Sequence, residues 1–320
     1  MSHRVFPQSI CTATLLALTL LPATVMAAPK VVVSLKPLEL LVRAIATDDT
    51  TVTTLVGPGA NPHNYSMKPS QRRALGDADA VFWVGPAMET FLTRLLNGEE
   101  FRSRSHALTP GEGNGEHSEE HNEGGHDHEH NHHDHNGDNS SNDSGDDAGA
   151  DGSDPHIWLD PTTSLDMARE IHTVLTALPG ADTAALDTRL ATFEQSLADT
   201  EKEIHQQLEP ARALSLFTYH NAFSHFAAHY DLPLAGVLAL NPELSPGARH
   251  IAEVQDKLRK ATRPCLMTER PFNRDSWEPI IGDIAVTFSD WDPLASDITA
   301  DSDGYLAFQR SIAEAVLDCL

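Results

Sequence analysis

The stretch DTAALDTRLATFEQSLADTEKEIHQQL, residues 182–208, decides the architecture. Leu186, Leu190, Phe193, Leu197, Ile204 and Leu208 recur at spacings of three, four or seven, which puts them on one face of a helix. No Gly or Pro interrupts the run. A helix of about 27 residues rises some 40 Å at 1.5 Å per residue. That is too long for a simple connection between neighbouring strands and long enough to run along a whole domain as a spine.

On both sides of this spine the chain alternates short β-rich runs with helical patterns. Upstream come Val31 to Leu35, a helix from Leu38 to Ile45, Val52 to Val56, a helix from Ser70 to Leu75, Ala80 to Val84 and a helix from Glu89 to Leu96. After a long polar tract, Leu165, Met167, Ile171, Val174 and Leu175 mark a helix from Pro161 to Leu178, stopped by Pro179 and Gly180. Downstream the order is Leu214 to Tyr219, a helix from Phe223, Leu234 to Ala239, a helix from Ala248 to Ala261, Cys265 to Thr268, a helix from Asp275 to Ile284 and a last helix from Tyr305 to Cys319.

Alternation of this kind builds parallel sheets covered by helices. The expected fold is therefore α/β, with two lobes of mainly parallel sheet and flanking helices joined by one long rigid helix. A chain of 320 residues suits two packed domains better than one core. The boundaries read as an N-terminal lobe over 29–180, a linking helix over 181–213 and a C-terminal lobe over 214–320.

Residues 1–28 read as a cleaved secretory signal: Arg4, an apolar run from Ile10 to Leu21, then the small-residue stretch Val25-Met26-Ala27-Ala28. Thr12, Thr14, Thr19 and Pro22 interrupt the roughly 20 clean apolar residues that a membrane span needs. Cys11 lacks lipobox neighbours and is expected to leave with the signal. Cys265 and Cys319 remain, and in an oxidising compartment an even pair usually bonds, the alternative being two separately buried thiols. Such a bridge contributes roughly 4 kcal/mol in the chain-entropy model.

The net charge of -25 argues against nucleic acid or anionic lipid as partner, but it is unevenly spread. From Gly111 to Asp154 there are 14 acidic residues and no Lys or Arg. The insertion 111–153 is nearly devoid of large apolar side chains, so burial there does not offset ordering entropy and a disordered tract is expected. It carries His117, His121, His126, His128, His130, His132, His133 and His135 among carboxylates, a donor mixture suited to zinc, copper or nickel. A flexible tract orders its chain for each ligand it recruits, so it should collect ions weakly as an accessory to a tighter site.

Three more histidines stand where predicted elements give way to loops: His63 in Gly59-Ala60-Asn61-Pro62-His63, His156 in Asp154-Pro155-His156-Ile157-Trp158-Leu159-Asp160-Pro161, and His220 in Thr218-Tyr219-His220-Asn221. Loops at strand ends are where α/β proteins place ligands. His225 and His229, four apart on a predicted helix, read as a partly exposed face packed near Tyr230. No Glu completes a His-Glu-x-x-His hydrolase signature.

Taken together, Gly59 to Tyr65 followed by Pro69-Ser70, the Asp154 to Pro161 segment and Tyr219-His220-Asn221-Ala222-Phe223 resemble the metal-binding subunits of bacterial ABC importers for zinc and manganese. Within that group the chain is most similar to the zinc-specific ZnuA type, and the resemblance runs from about Val31 to Leu320. It implies a periplasmic protein, not an enzyme, that carries Zn2+ as transported ligand to a membrane permease; a monomer is the default expectation. It implies His63, His156 and His220 as metal ligands. Asp292, in Asp292-Pro293-Leu294-Ala295, matches a segment whose Asp often supplies a fourth ligand, although Ala295 replaces the usual glycine. Glu269 or water are the other options for that position. The family also pairs cysteines where Cys265 and Cys319 stand.

A nitrogen-rich four-coordinate set suits zinc, whereas manganese favours more oxygen. In manganese-type relatives the position of His220 is usually a carboxylate and the histidine-rich insertion is usually missing. Two competing readings share the ligands: a secreted zinc hydrolase with an open coordination position, and a manganese-binding or adhesin-type relative.

Overall fold

The computed structural model describes residues 28–109, 154–239, 246–269 and 274–320. Residues 1–27 of the expected signal, Cys11 among them, and the eight histidines of the insertion lie outside the described residues.

The first half runs β1 (Lys30–Val33), α1 (Lys36–Ile45), β2 (Thr51–Thr54), α2 (Pro69–Asp77), β3 (Ala80–Trp83), α3 (Thr90–Leu96) and β4 (Ser105–Ala107), then α4 (Pro161–Ala177). The long helix follows as α5 (Thr183–Gln207). The second half is β5 (Ser215–His220), α6 (Ser224–His229), β6 (Leu234–Ala239), α7 (Ala248–Lys260), β7 (Pro264–Glu269), α8 (Glu278–Ile281), β8 (Thr287–Trp291) and α9 (Gly304–Leu317).

All strand pairs are parallel, and the sheets have the orders β2-β1-β3-β4 and β6-β5-β7-β8. The second order is the first advanced by four strands. Each sheet therefore reverses its winding at one place, between β1 and β3 and between β5 and β7, where α/β sheets open a crevice at the carboxyl ends of their strands.

Strand periodicity sorts the side chains into layers. Val31 and Val33 of β1, Leu216 of β5, and Cys265 and Met267 of β7 join one continuous core that spans both halves. Val32, Val81 and Trp83 face the outer layer of the first sheet, and Phe217 and Leu266 that of the second. The spine α5 buries Leu186, Phe193, Leu197, Thr200 and Ile204 and packs on α1, α4 and α9. Asp182 caps its start by accepting from Ala185 N–H.

α9 crosses back to α1. Its first residue, Gly304, lies so close that a Cβ there would stand 2.9 Å from Leu40 Cδ2 and 2.5 Å from the Thr299 carbonyl oxygen. The Cys265–Cys319 disulfide fastens the end of α9 to β7, with a Cα–Cα separation of 5.8 Å.

Three local expectations change. β4 and β8 were not foreseen, being short strands completed by pairing with β3 and β7. The helix expected over Asp275 to Ile284 is a 3-10 turn at Arg274–Ser276 and one α-helical turn at Glu278–Ile281, ended by Gly282 at φ 55°. Among the described residues no helix is long and apolar enough to cross a membrane.

Candidate metal centre

The three loop histidines converge. His63 sits in a 3-10 turn, Pro62–Asn64, whose start is capped by the Asn61 side chain accepting from His63 N–H at 3.0 Å. His156 precedes another 3-10 turn, Ile157–Leu159. His220 is the last residue of β5, beside the winding reversal of the second sheet.

One possible donor atom from each ring lies within 4.8 Å of the others. The Nε2 atoms of His156 and His220 are 3.3 Å apart. His63 closes the group from the other side, its ring centroid 5.3 Å from that of His156 and 5.9 Å from that of His220.

Two of the rings are held by carboxylates. Asp154 Oδ1 lies 2.7 Å from His156 Nδ1, and Glu269 Oε2 lies 2.6 Å from His220 Nδ1. A carboxylate at Nδ1 favours the tautomer with its proton there, which leaves the Nε2 lone pair for a metal. Asp154 remains ionised: burial would raise its pKa, but the hydrogen bonds from His156 and Ser224 outweigh burial and hold it below the ordinary value. His156 and Glu269 are each 2 % exposed.

His63 Nε2 is buried without a hydrogen-bond partner among the described residues. Burial, followed by the neighbouring His156 and His220, pushes its pKa down to about 3. Burial also lowers that of His156. These two imidazoles are therefore neutral at pH 7, the form that binds metal.

A cavity of about 290 Å³ opens onto the group, lined by the Pro58–Pro62 loop and by Asp292, Pro293, Leu294, Ser296 and Asp297. Asp292 thus reaches the same cavity as the histidines. Its two oxygens accept from Leu294 N–H and Ser296 N–H, both at 2.8 Å, and each keeps a lone pair. Ala295, where a glycine was expected, adopts φ 53° in this turn, the left-handed region that glycine enters without strain.

The chain matches, over residues 31–319, the family model described as zinc-uptake complex component A, periplasmic. The chain belongs to this family. Among curated relatives, the high-affinity zinc uptake system protein ZnuA of Yersinia pestis is 32% identical over 301 residues, covering 92% of each chain. The protein of the same name from Haemophilus ducreyi is 34% identical over 307 residues, covering 96% of this chain and 98% of the relative. A crystal structure of ZnuA superposes with a TM-score of 0.66 at 24% identity, covering 90% of this chain and 99% of the other, and supports the same fold. Family membership makes the protein a zinc-binding component of a periplasmic uptake system, in place of the hydrolase reading.

His225 and His229 do not join the cluster. His225 Nε2 lies 2.7 Å from the Asp154 carbonyl oxygen, and His229 meets Tyr230 edge-to-face with ring centroids 4.6 Å apart. His229 also sits between Asp160, 3.1 Å away, and Glu201, 3.0 Å away.

The winding reversal of the first sheet is closed. There the buried Glu89 accepts hydrogen bonds from Ser34 Oγ, Val84 N–H and Gly85 N–H. Burial pushes its carboxyl up to about 7.

Proposed function

We propose that His63, His156 and His220 coordinate Zn2+ directly, that Asp292 or a water completes a four-coordinate site, and that the loaded protein hands the ion to a membrane permease of an ABC importer. The observation that carries this reading is the pair of metal-facing nitrogens. Tetrahedral zinc with bonds of about 2.05 Å sets two ligand nitrogens about 3.3 Å apart, and the Nε2 atoms of His156 and His220 stand at 3.3 Å. With both Nδ1 atoms facing carboxylates, the two Nε2 lone pairs point toward each other, an arrangement that a cation between them relieves.

Glu269 is engaged at His220 Nδ1; in this reading it orients that ligand, and Asp292 is the carboxylate left for the fourth position. The site draws His63 and His156 from the first half and His220 from the second, so zinc binding favours the arrangement that lets all of them reach it. The shared core and α5 keep that motion small. The permease reads this small difference between loaded and empty forms. Export by the segment 1–28, a monomeric carrier, lobes bounded at 29–180 and 214–320, and ion collection by the histidines from His117 to His135 belong to the same reading.

The test is a chelator-competition titration of zinc and manganese into the signal-free chain lacking residues 111–152, beside its His156→Ala variant. A single tight, zinc-preferring site that the substitution severely weakens is the expected result. Loss of tight binding on removing the insertion alone would overturn the three-histidine assignment.

A further inference from the structure

We infer that Asp154 is a positioning residue that couples the metal-facing ring of His156 to helix α6 of the second half, so that zinc binding and the seating of that helix are linked through one carboxylate. The inference rests on His156 being a zinc ligand, as proposed above.

The two oxygens of Asp154 are divided between the halves of the molecule. Oδ1 accepts from His156 N–H at 2.9 Å and lies 2.7 Å from His156 Nδ1. Oδ2 accepts from Ser224 N–H at 3.2 Å and Ser224 Oγ–H at 2.6 Å, across 70 residues of sequence. The Asp154 carbonyl oxygen meets His225 Nε2 as well, so the residue touches α6 at two consecutive positions.

Other side chains of the same segment also reach the second half. Trp158 Nε1–H donates to the Pro293 carbonyl at 2.8 Å, and Asp160 pairs with His229. Trp158 also meets the His156 ring edge-on, with centroids 5.2 Å apart, but of these residues only Asp154 hydrogen-bonds a nitrogen of that ring.

A rigid carboxylate transmits motion. If α6 shifts, Ser224 pulls Oδ2, the carboxylate turns about its Cβ–Cγ bond, and Oδ1 leaves the line of His156 Nδ1–H. The ring then tilts and its Nε2 becomes a poorer donor. In the other direction, a cation on Nε2 polarises the ring, strengthens Nδ1–H as a donor and tightens its bond to Asp154.

The test is a double-mutant cycle on zinc affinity in the full mature chain, with the thermal midpoint of the zinc-free protein measured in parallel. Asp154→Asn keeps an acceptor for His156 but turns an amide donor toward Ser224 N–H, and should weaken zinc binding about 10- to 100-fold. Ser224→Ala, which removes one hydrogen bond from a residue that never meets the ion, should weaken it about fivefold. The double variant should bind no more weakly than Asp154→Asn alone, and Ser224→Thr should restore wild-type affinity.

An unchanged zinc affinity in Ser224→Ala, whatever its thermal midpoint, overturns the coupling, as does a double variant whose loss is the product of the two. If Asp154→Asn does not fold, the Ser224→Ala and Ser224→Thr pair decides alone. His156→Ala separates the premises: wild-type affinity in that variant sinks the ligand assignment itself, whereas a severe loss there with no effect at Ser224 sinks only the coupling.

Discussion

Raising the pH from 6 to 9.5 should remove most of the stabilisation that His229 gives to the packing of α6 against α4 and α5. His229 Nδ1 lies 3.1 Å from Asp160 at the start of α4, and Nε2 lies 3.0 Å from Glu201 on α5. The hydrogen bonds to Asp160 and then Glu201 outweigh burial and raise the pKa to about 9 from an ordinary value of 6.5. The folded state therefore holds the proton more tightly than the unfolded chain. The contribution is fully present below about pH 6.5 and is lost as pH rises through about 9.

Each tenfold difference in proton affinity is about 1.4 kcal/mol, so the window holds about 3 kcal/mol at most. The imidazole side chain is 21% exposed, and solvent screening trims the figure to about 2 kcal/mol. Urea unfolding of the wild-type chain and His229→Gln at both pH values isolates this term, because other groups titrating in the window cancel between the two proteins. His229→Gln should cost about 2 kcal/mol at pH 6 and well under 1 kcal/mol at pH 9.5. An equal cost at both pH values would refute the charged clamp and leave only packing.

Three further outcomes are expected. Glu269→Gln should weaken zinc binding about 10- to 100-fold, because an amide no longer fixes the proton of His220 at Nδ1; a chelator competition checks it, and an unchanged affinity would show that Glu269 does not orient the ring. Cys319→Ser opens a bridge spanning 54 residues of sequence and should lower unfolding free energy by about 4 kcal/mol in the chain-entropy model, read by denaturant titration with zinc absent. Trp158→Phe removes the indole hydrogen bond to the Pro293 carbonyl and should cost about 1 kcal/mol of stability.

The long helix was legible because its buried face, Leu186, Phe193, Leu197 and Ile204, follows a helical period that local sequence alone displays. The strands of three valines or of Ala-Val-Phe-Trp were legible as short continuous apolar runs, buried throughout in the sheet. β4 and β8 were not, since Ser-His-Ala and Thr-Phe-Ser-Asp-Trp lack a continuous apolar run and owe their conformation to the neighbouring strand. The convergence of His63, His156 and His220 came from motifs rather than from spacing. The role of Asp154 had a local signal: an Asp accepting from the N–H two residues on, as in an Asx turn. Glu269 was named only as an option for the fourth ligand; its contact with His220 had no local signal, because the two meet through the pairing of β7 beside β5, across 49 residues.

The Ser34–Glu89 plug constrains where the first half can place donors. With the crevice of the first sheet filled by this pair, that half offers its donors from outside its strands, His63 from within a 3-10 turn and His156 from the residue before one. His220 instead ends a strand bonded to neighbours on both sides. A substitution at the first two positions leaves both strand ladders intact, although at His156 it also breaks the link through Asp154 to Ser224. A substitution at the third must fit a new side chain at the end of a packed ladder.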